Sequence, residues 1–224
     1  MKKIFITGGH GDIGRAIVNI FTEHGYQVIS PSRLELDLNN LSAVDNYFIN
    51  NSNSYDAFIH CAGYNSPQTI DTLTVSDLQH SLNINSLSFY TIVKHLAKHL
   101  QQQQNGHILA LSSIYGFLAR TGRLPYTSSK HALVGMMKSL AVELGPANIK
   151  VNCLSPGFVD TKMTRKNNND STINQFISHI PLAKLASVED IAQVAYFLAS
   201  DNNKYINGQD IIVDGGYSIC ADIT

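Results

Sequence analysis

Residues 7–25 read TGGHGDIGRAIVNIFTEHG, and this stretch decides the fold. The run over residues 2–7 that leads into it is rich in Ile and Phe and alternates little, the pattern of a parallel strand buried on both faces. Glycines at positions 8, 9, 11 and 14 let the backbone turn sharply and come close to a pyrophosphate. The helix opening near Asp12 turns its free N–H groups and positive dipole end toward that anion. Glycine-rich loops also serve ordinary turns, and it is the placement at the first strand-to-helix junction that makes this one informative.

Working outward, strands and helices alternate. YQVIS reads as a second strand ending in PSR, and LELDL (34–38) as a short third one, with no room between them for a crossover helix. A modest amphipathic helix, LSAVDNYFI, leads to a fourth strand, YDAFIHCAG. Residues 75–100 predict one long helix, followed by the polar connector QQQQN. GHILALSS, NIKVNCLSPG and NGQDIIVDGG supply strands five to seven, and the helix SVEDIAQVAYFLAS carries a capping-box pattern at Ser187 and Asp190. The expectation is a single domain over residues 1–224, a doubly wound α/β (Rossmann) fold around a parallel sheet of about seven strands. The helix between strands two and three is missing, and the site lies at the carboxyl ends of the strands.

Composition narrows the function. The 224 residues are 44% hydrophobic and 15% charged, with a net charge of −1, which leaves no electrostatic footprint for nucleic acid or an anionic membrane. No stretch reads as a leader or a membrane span. Cys61, Cys153 and Cys220 are odd in number, and two lie in strand-like runs, which favours reduced thiols over disulfides or a metal site and gives a cytoplasmic protein.

The chemistry concentrates in SSIYGFLARTGRLPYTSSK (112–130), where Ser113 ends a strand and Tyr126 and Lys130 open a helix one turn apart on one face. An ammonium beside a phenol favours the phenolate and lowers its pKa, and Ser113 can hold a substrate oxygen against that phenol. A Tyr and a Lys four apart also occur by chance, as a half-buried aromatic beside a solvated charge. Ser113, thirteen residues before a Tyr-x-x-x-Lys, resembles the signature of the short-chain dehydrogenase/reductase family, and the glycine loop resembles that family's TGxxxGxG motif with Asp12 at the place of a glycine. His60, Cys61, Ala62 and Gly63 stand where the family reads NNAG, and VNCLSPGFVDT resembles its VNxxxPGxxxT segment.

The resemblance implies an NAD(P)-dependent oxidoreductase moving a hydride between nicotinamide and a carbonyl or alcohol carbon of a small molecule. It implies Ser113, Tyr126 and Lys130 as the catalytic set, with Asn83, matched by its spacing from Asp77 and Ser86, as the helix asparagine of the proton relay. A buried structural role for that asparagine is the alternative. The cofactor contacts it implies are Gly8, His10, Asp12, Ile13 and Gly14 in the loop, Asp37 and Leu38 at adenine, and Cys61, Ala62 and Gly63 at the ribose. Pro156, Gly157, Val159 and Thr161 then shape the nicotinamide pocket, and the Asn-rich segment 161–182 is expected as a substrate lid in loop form. The other class of function is a dinucleotide-binding regulator or scaffold that has lost turnover; the intact Ser-Tyr-Lys set argues against it.

The closing segments resemble the 3-oxoacyl carrier-protein reductases of the family, yet the places of the carrier-gripping arginines hold His107 and Ala147. Arg120 and Arg123 lie near the site as substitutes, though exposed arginines are more often merely solvated. Weak or no use of carrier-bound acyl groups and some activity on a small ketone are expected. The resemblance also implies a homotetramer, with a dimer next. At the end of the second strand the acid that would select NAD is replaced by Ser32, with Arg33 beside it. A guanidinium there can bind a 2′-phosphate, stack on adenine or point to solvent; the first reading favours NADP(H) over NAD(H).

Overall fold

The computed structural model describes residues 1–51 and 53–220, so Ser52 and the last four positions of the expected domain lie outside the described residues. The strands are β1 (Lys3–Thr7), β2 (Gln27–Ile29), β3 (Ala57–His60), β4 (Gly106–Leu111), β5 (Ile149–Pro156) and β6 (Asp210–Val213). They form one parallel sheet in the order β2-β1-β3-β4-β5-β6. Successive side chains on a strand point to opposite faces, so Phe5 enters one core layer while Ile4 and Ile6 enter the other. On one face the strands pack against α1 (Asp12–Glu23) and α8 (Val188–Leu198). On the other lie α2 (Leu41–Asn50), α4 (Ser88–Gln103) and α5 (Leu124–Leu144). Phe5, Phe58 and Phe89 are fully buried in this second layer, each worth about 1.5–3 kcal/mol in removal from water.

Three expectations change. The sheet has six strands rather than about seven, because LELDL is a turn: Glu35 and Leu36 donate back to the Ser32 carbonyl, and Leu36 reaches the core without joining a ladder. The helix expected over 75–100 is α3 (Val75–Leu82), a π-helical turn over Asn83–Leu87, then α4. The segment expected as a lid loop contains two helices, α6 (Lys162–Asn167) and α7 (Asp170–His179), capped by the side chains of Thr161 and Asn169. The capping box at Ser187 and Asp190 is formed as expected. Among the described residues, no helix is long and apolar enough to cross a membrane.

Candidate active site

At the exit of β1 the chain turns through Gly8, whose φ of +72° suits glycine alone. A Cβ there would lie 2.6 Å from the backbone N and Cα of Ala62, and one on Gly14 would run into the Gly8 carbonyl. The loop is therefore packed directly on the exit of β3. Gly11, the N-cap of α1, has no side-chain oxygen to cap the first-turn N–H groups, which leaves them for an anion. A cleft of about 580 Å³ runs past this loop from Arg33, Asp37 and Leu38 at one end to Tyr126, Lys130 and Thr161 at the other. Volume, glycine approach and uncapped helix end together fit a dinucleotide.

Ser113 follows β4 in extended backbone, with its hydroxyl on the Tyr115 N–H at 3.2 Å and facing the Tyr126 phenol. Burial pushes the phenol up to about 12; the Ser113 hydrogen bond pulls it down, Tyr115 opposes that, and Arg123 assists it. This corrects the expectation that Lys130 depresses the phenol. In the structure Lys130 Nζ lies 5.5 Å from the centroid of the Tyr126 ring and donates to the Leu111 carbonyl at 2.6 Å. Lys130 is almost fully buried, and that burial lowers its own pKa to about 8.

Asn83 is not where the relay was expected. Its amide donates to the Asn39 carbonyl at 3.1 Å, and it does not line the cleft. Two residues on, Asn85 is fully buried: it accepts from the Tyr64 N–H at 2.7 Å and donates to the Tyr64 carbonyl at 2.9 Å and to Ser129 Oγ at 2.8 Å. A Cβ on Gly63 would touch both Lys130 Nζ, at 3.8 Å, and Asn85 Oδ1, at 4.0 Å. The sequence held a signal for this, because Asn85 falls on the stripe of Leu78, Leu82, Phe89, Ile92 and Leu96, whereas Asn83 falls off it. His60 holds the π-turn in place. The Ile84 carbonyl can only accept, so Nε2 carries the proton donated to it at 3.1 Å and Nδ1 accepts from Thr7 Oγ1 at 2.9 Å. Burial drops the His60 pKa to about 3, so this imidazole stays neutral.

Ser32 also departs from expectation. Pro31 and Arg33 line the cleft and Ser32 does not, because its N–H is held by the Glu35 carboxylate at 2.7 Å inside the turn. The other expected cofactor residues line the cleft. Sequence reading gave no role to Glu35, His60 or Asn85, and missed the bond from the Lys162 N–H to Asp12, 2.7 Å, that ties α6 to the glycine loop. His107 and Ala147 are buried and cannot grip a partner. Arg123, expected as an exposed charge, is buried as well, with 6% of its surface accessible.

The family model described as enoyl-(acyl carrier protein) reductase matches residues 30–218. A 3-oxoacyl-[acyl-carrier-protein] reductase of Chlamydia trachomatis is 32% identical over 215 residues, covering 96% of this chain and 86% of that protein. The structure of ElxO with NADP bound is similar at a TM-score of 0.88 and 28% identity, over 98% of this chain and 99% of its own. That of 4-hydroxyisoleucine dehydrogenase complexed with NADH is similar at 0.90 and 27%, over 99% and 100%.

Proposed function

Because this chain belongs to the short-chain dehydrogenase/reductase family and is an NAD(P)-dependent oxidoreductase, we propose that it reduces a small ketone or oxidises the matching alcohol through Ser113, Tyr126 and Lys130. The nicotinamide supplies or accepts the hydride. What supports the reading is the Ser113 hydroxyl set on the Tyr126 phenol at the mouth of the dinucleotide cleft. With its pKa pushed up to about 12, the phenol is protonated at neutral pH and suited to give its proton to the oxygen that turns anionic on reduction. Ser113 donates to that same oxygen and fixes it within reach of the phenol. Lys130 holds positive charge behind the phenol, and Asn85, in place of Asn83, steadies the Tyr64 backbone against the helix that carries Tyr126.

The reading extends to NADP(H) over NAD(H), supported by Arg33 at the adenosine end of the cleft, and to a homotetramer in the cytoplasm. Tyr126→Phe tests the mechanism: cofactor binding followed by fluorescence survives, and kcat on a responsive ketone falls roughly 10²–10⁴-fold. An unchanged kcat overturns it.

A further inference from the structure

Beyond the reacting hydroxyls lies a second cavity of about 90 Å³, bounded by Ser113, Tyr126 and the two arginines Arg120 and Arg123. We propose that this cavity holds the anionic end of the substrate, so that the compound reduced is a short oxo acid whose carboxylate is taken by Arg123 while its carbonyl lies on Ser113 and Tyr126. The inference rests on the hydride-transfer reading above and adds the substrate class.

Arginine is seldom fully buried without a paired carboxylate, because the desolvated charge needs compensation. Arg123 is 6% accessible, and its one side-chain partner among the described residues is the amide oxygen of Asn65, 2.9 Å from Nη1. A guanidinium has five donors, so most of its donating capacity is left over. No Asp or Glu lines the cavity; Asn65, Asn167, Asn168 and Thr164 add further neutral polar groups. Arg120 reinforces the positive field from the rim, over the Phe176 ring at 4.9 Å and 3.5 Å from Asn168 Oδ1. Burial lowers the Arg123 pKa; Arg120 acts in the same direction, while the Tyr115 and Tyr126 phenols oppose it. The cavity is also small, which suits a compact acid and leaves no room for an extended acyl chain. The competing account is that Arg123 is a strut. It donates to Asn65, whose carbonyl accepts from Asn167 at 3.2 Å, and the Gln68 N–H is bound to the Gly122 carbonyl at 3.0 Å. A strut has no reason to prefer an acid over its ester.

The test uses pyruvate, acetoacetate and levulinate, which set carboxylate and ketone at increasing separation, each beside its methyl ester. Affinity for the NADP-loaded protein is measured by calorimetry, and turnover from NADPH oxidation. At least one acid is expected to bind roughly tenfold or more tightly than its ester, the scale of one charge-assisted hydrogen-bonded pair. In Arg123→Gln that ratio falls toward one, and in Arg123→Lys part of it returns. Esters bound and reduced as well as all three acids overturn the subsite and leave the hydride-transfer reading standing. Acids that bind with the expected preference but are never reduced support the subsite and count against the hydride-transfer reading. Absence of binding by every acid overturns the subsite. Should Arg123→Gln fail to fold, the acid-to-ester ratio of the unaltered protein decides alone.

Discussion

Arg33 shows what a residue can announce from sequence and what it cannot. Its place after the second strand was legible from the count beyond Gly25, and it lines the cleft with Asp37 and Leu38. Its neighbour Ser32 was legible only as a hydroxyl, because nothing local says that Glu35 will take the Ser32 N–H and fold the turn inward. That bond also holds the Glu35 carboxyl below its usual range, so an ionised acid stands in the same turn. If Arg33 reads a 2′-phosphate in spite of that acid, Arg33→Ala raises KM for NADPH at least roughly tenfold and leaves KM for NADH nearly unchanged, as expected for one charge-assisted pair. Steady-state kinetics with both cofactors check this. An equal rise for both assigns Arg33 to adenine stacking instead.

Among the elements, the π-turn over Asn83–Leu87 matters most for the site. It inserts a residue into a helix whose two halves each follow the apolar stripe, and so turns the Asn85 amide inward to the Tyr64 backbone. Periodicity revealed the helix and put Asn85 on its apolar stripe, whereas matching by spacing from Asp77 and Ser86 pointed to Asn83 instead. LELDL misled for another reason: a strand would put Leu34 and Leu36 on one face, but the turn buries Leu36 and leaves Leu34 fully exposed, and the run of apolar and acidic residues alone does not separate the two. The strands of the sheet interior were legible because they are apolar on both faces, whereas α6 and α7 were hidden by their Asn-rich composition and revealed by their caps. Asn85→Ala leaves the Tyr64 groups and Ser129 without their partner and is expected to cost about 2–4 kcal/mol in urea unfolding, with kcat reduced. Asn83→Ala, which releases contacts to Asn39 and to the exposed Gln79 amide, costs roughly 1 kcal/mol or less and leaves kcat intact.

At the scale of the whole molecule, two buried imidazoles make the fold sensitive to acid. Burial holds His60 near 3 and His107 near 4, both below the usual histidine value of 6.5. Between those values and pH 6.5 the unfolded chain binds protons that the folded one refuses, so stability is present above about 6.5 and falls as the pH drops. The slope is about 1.4 kcal/mol per pH unit for each histidine. Urea unfolding at pH 7 and pH 5 should show the loss, and His60→Asn should reduce it; a flat profile refutes this account. Assembly is checked by light scattering, with a tetramer expected and a monomer at micromolar concentration refuting it. The order of the sheet has a further consequence. β6 lies within the last eleven described residues, yet the Val213 carbonyl accepts from Gly157 at 2.9 Å and Asp214 packs against that glycine, while Gly215 and Gly216 press on Ile180 and Pro181 beneath α7. Every proposed catalytic side chain lies upstream of this segment, which backs Gly157 in the proposed nicotinamide pocket. During synthesis a nascent chain can display the glycine loop and the Ser-Tyr-Lys set and still be inert, becoming competent only when residues 210–216 have emerged to join them.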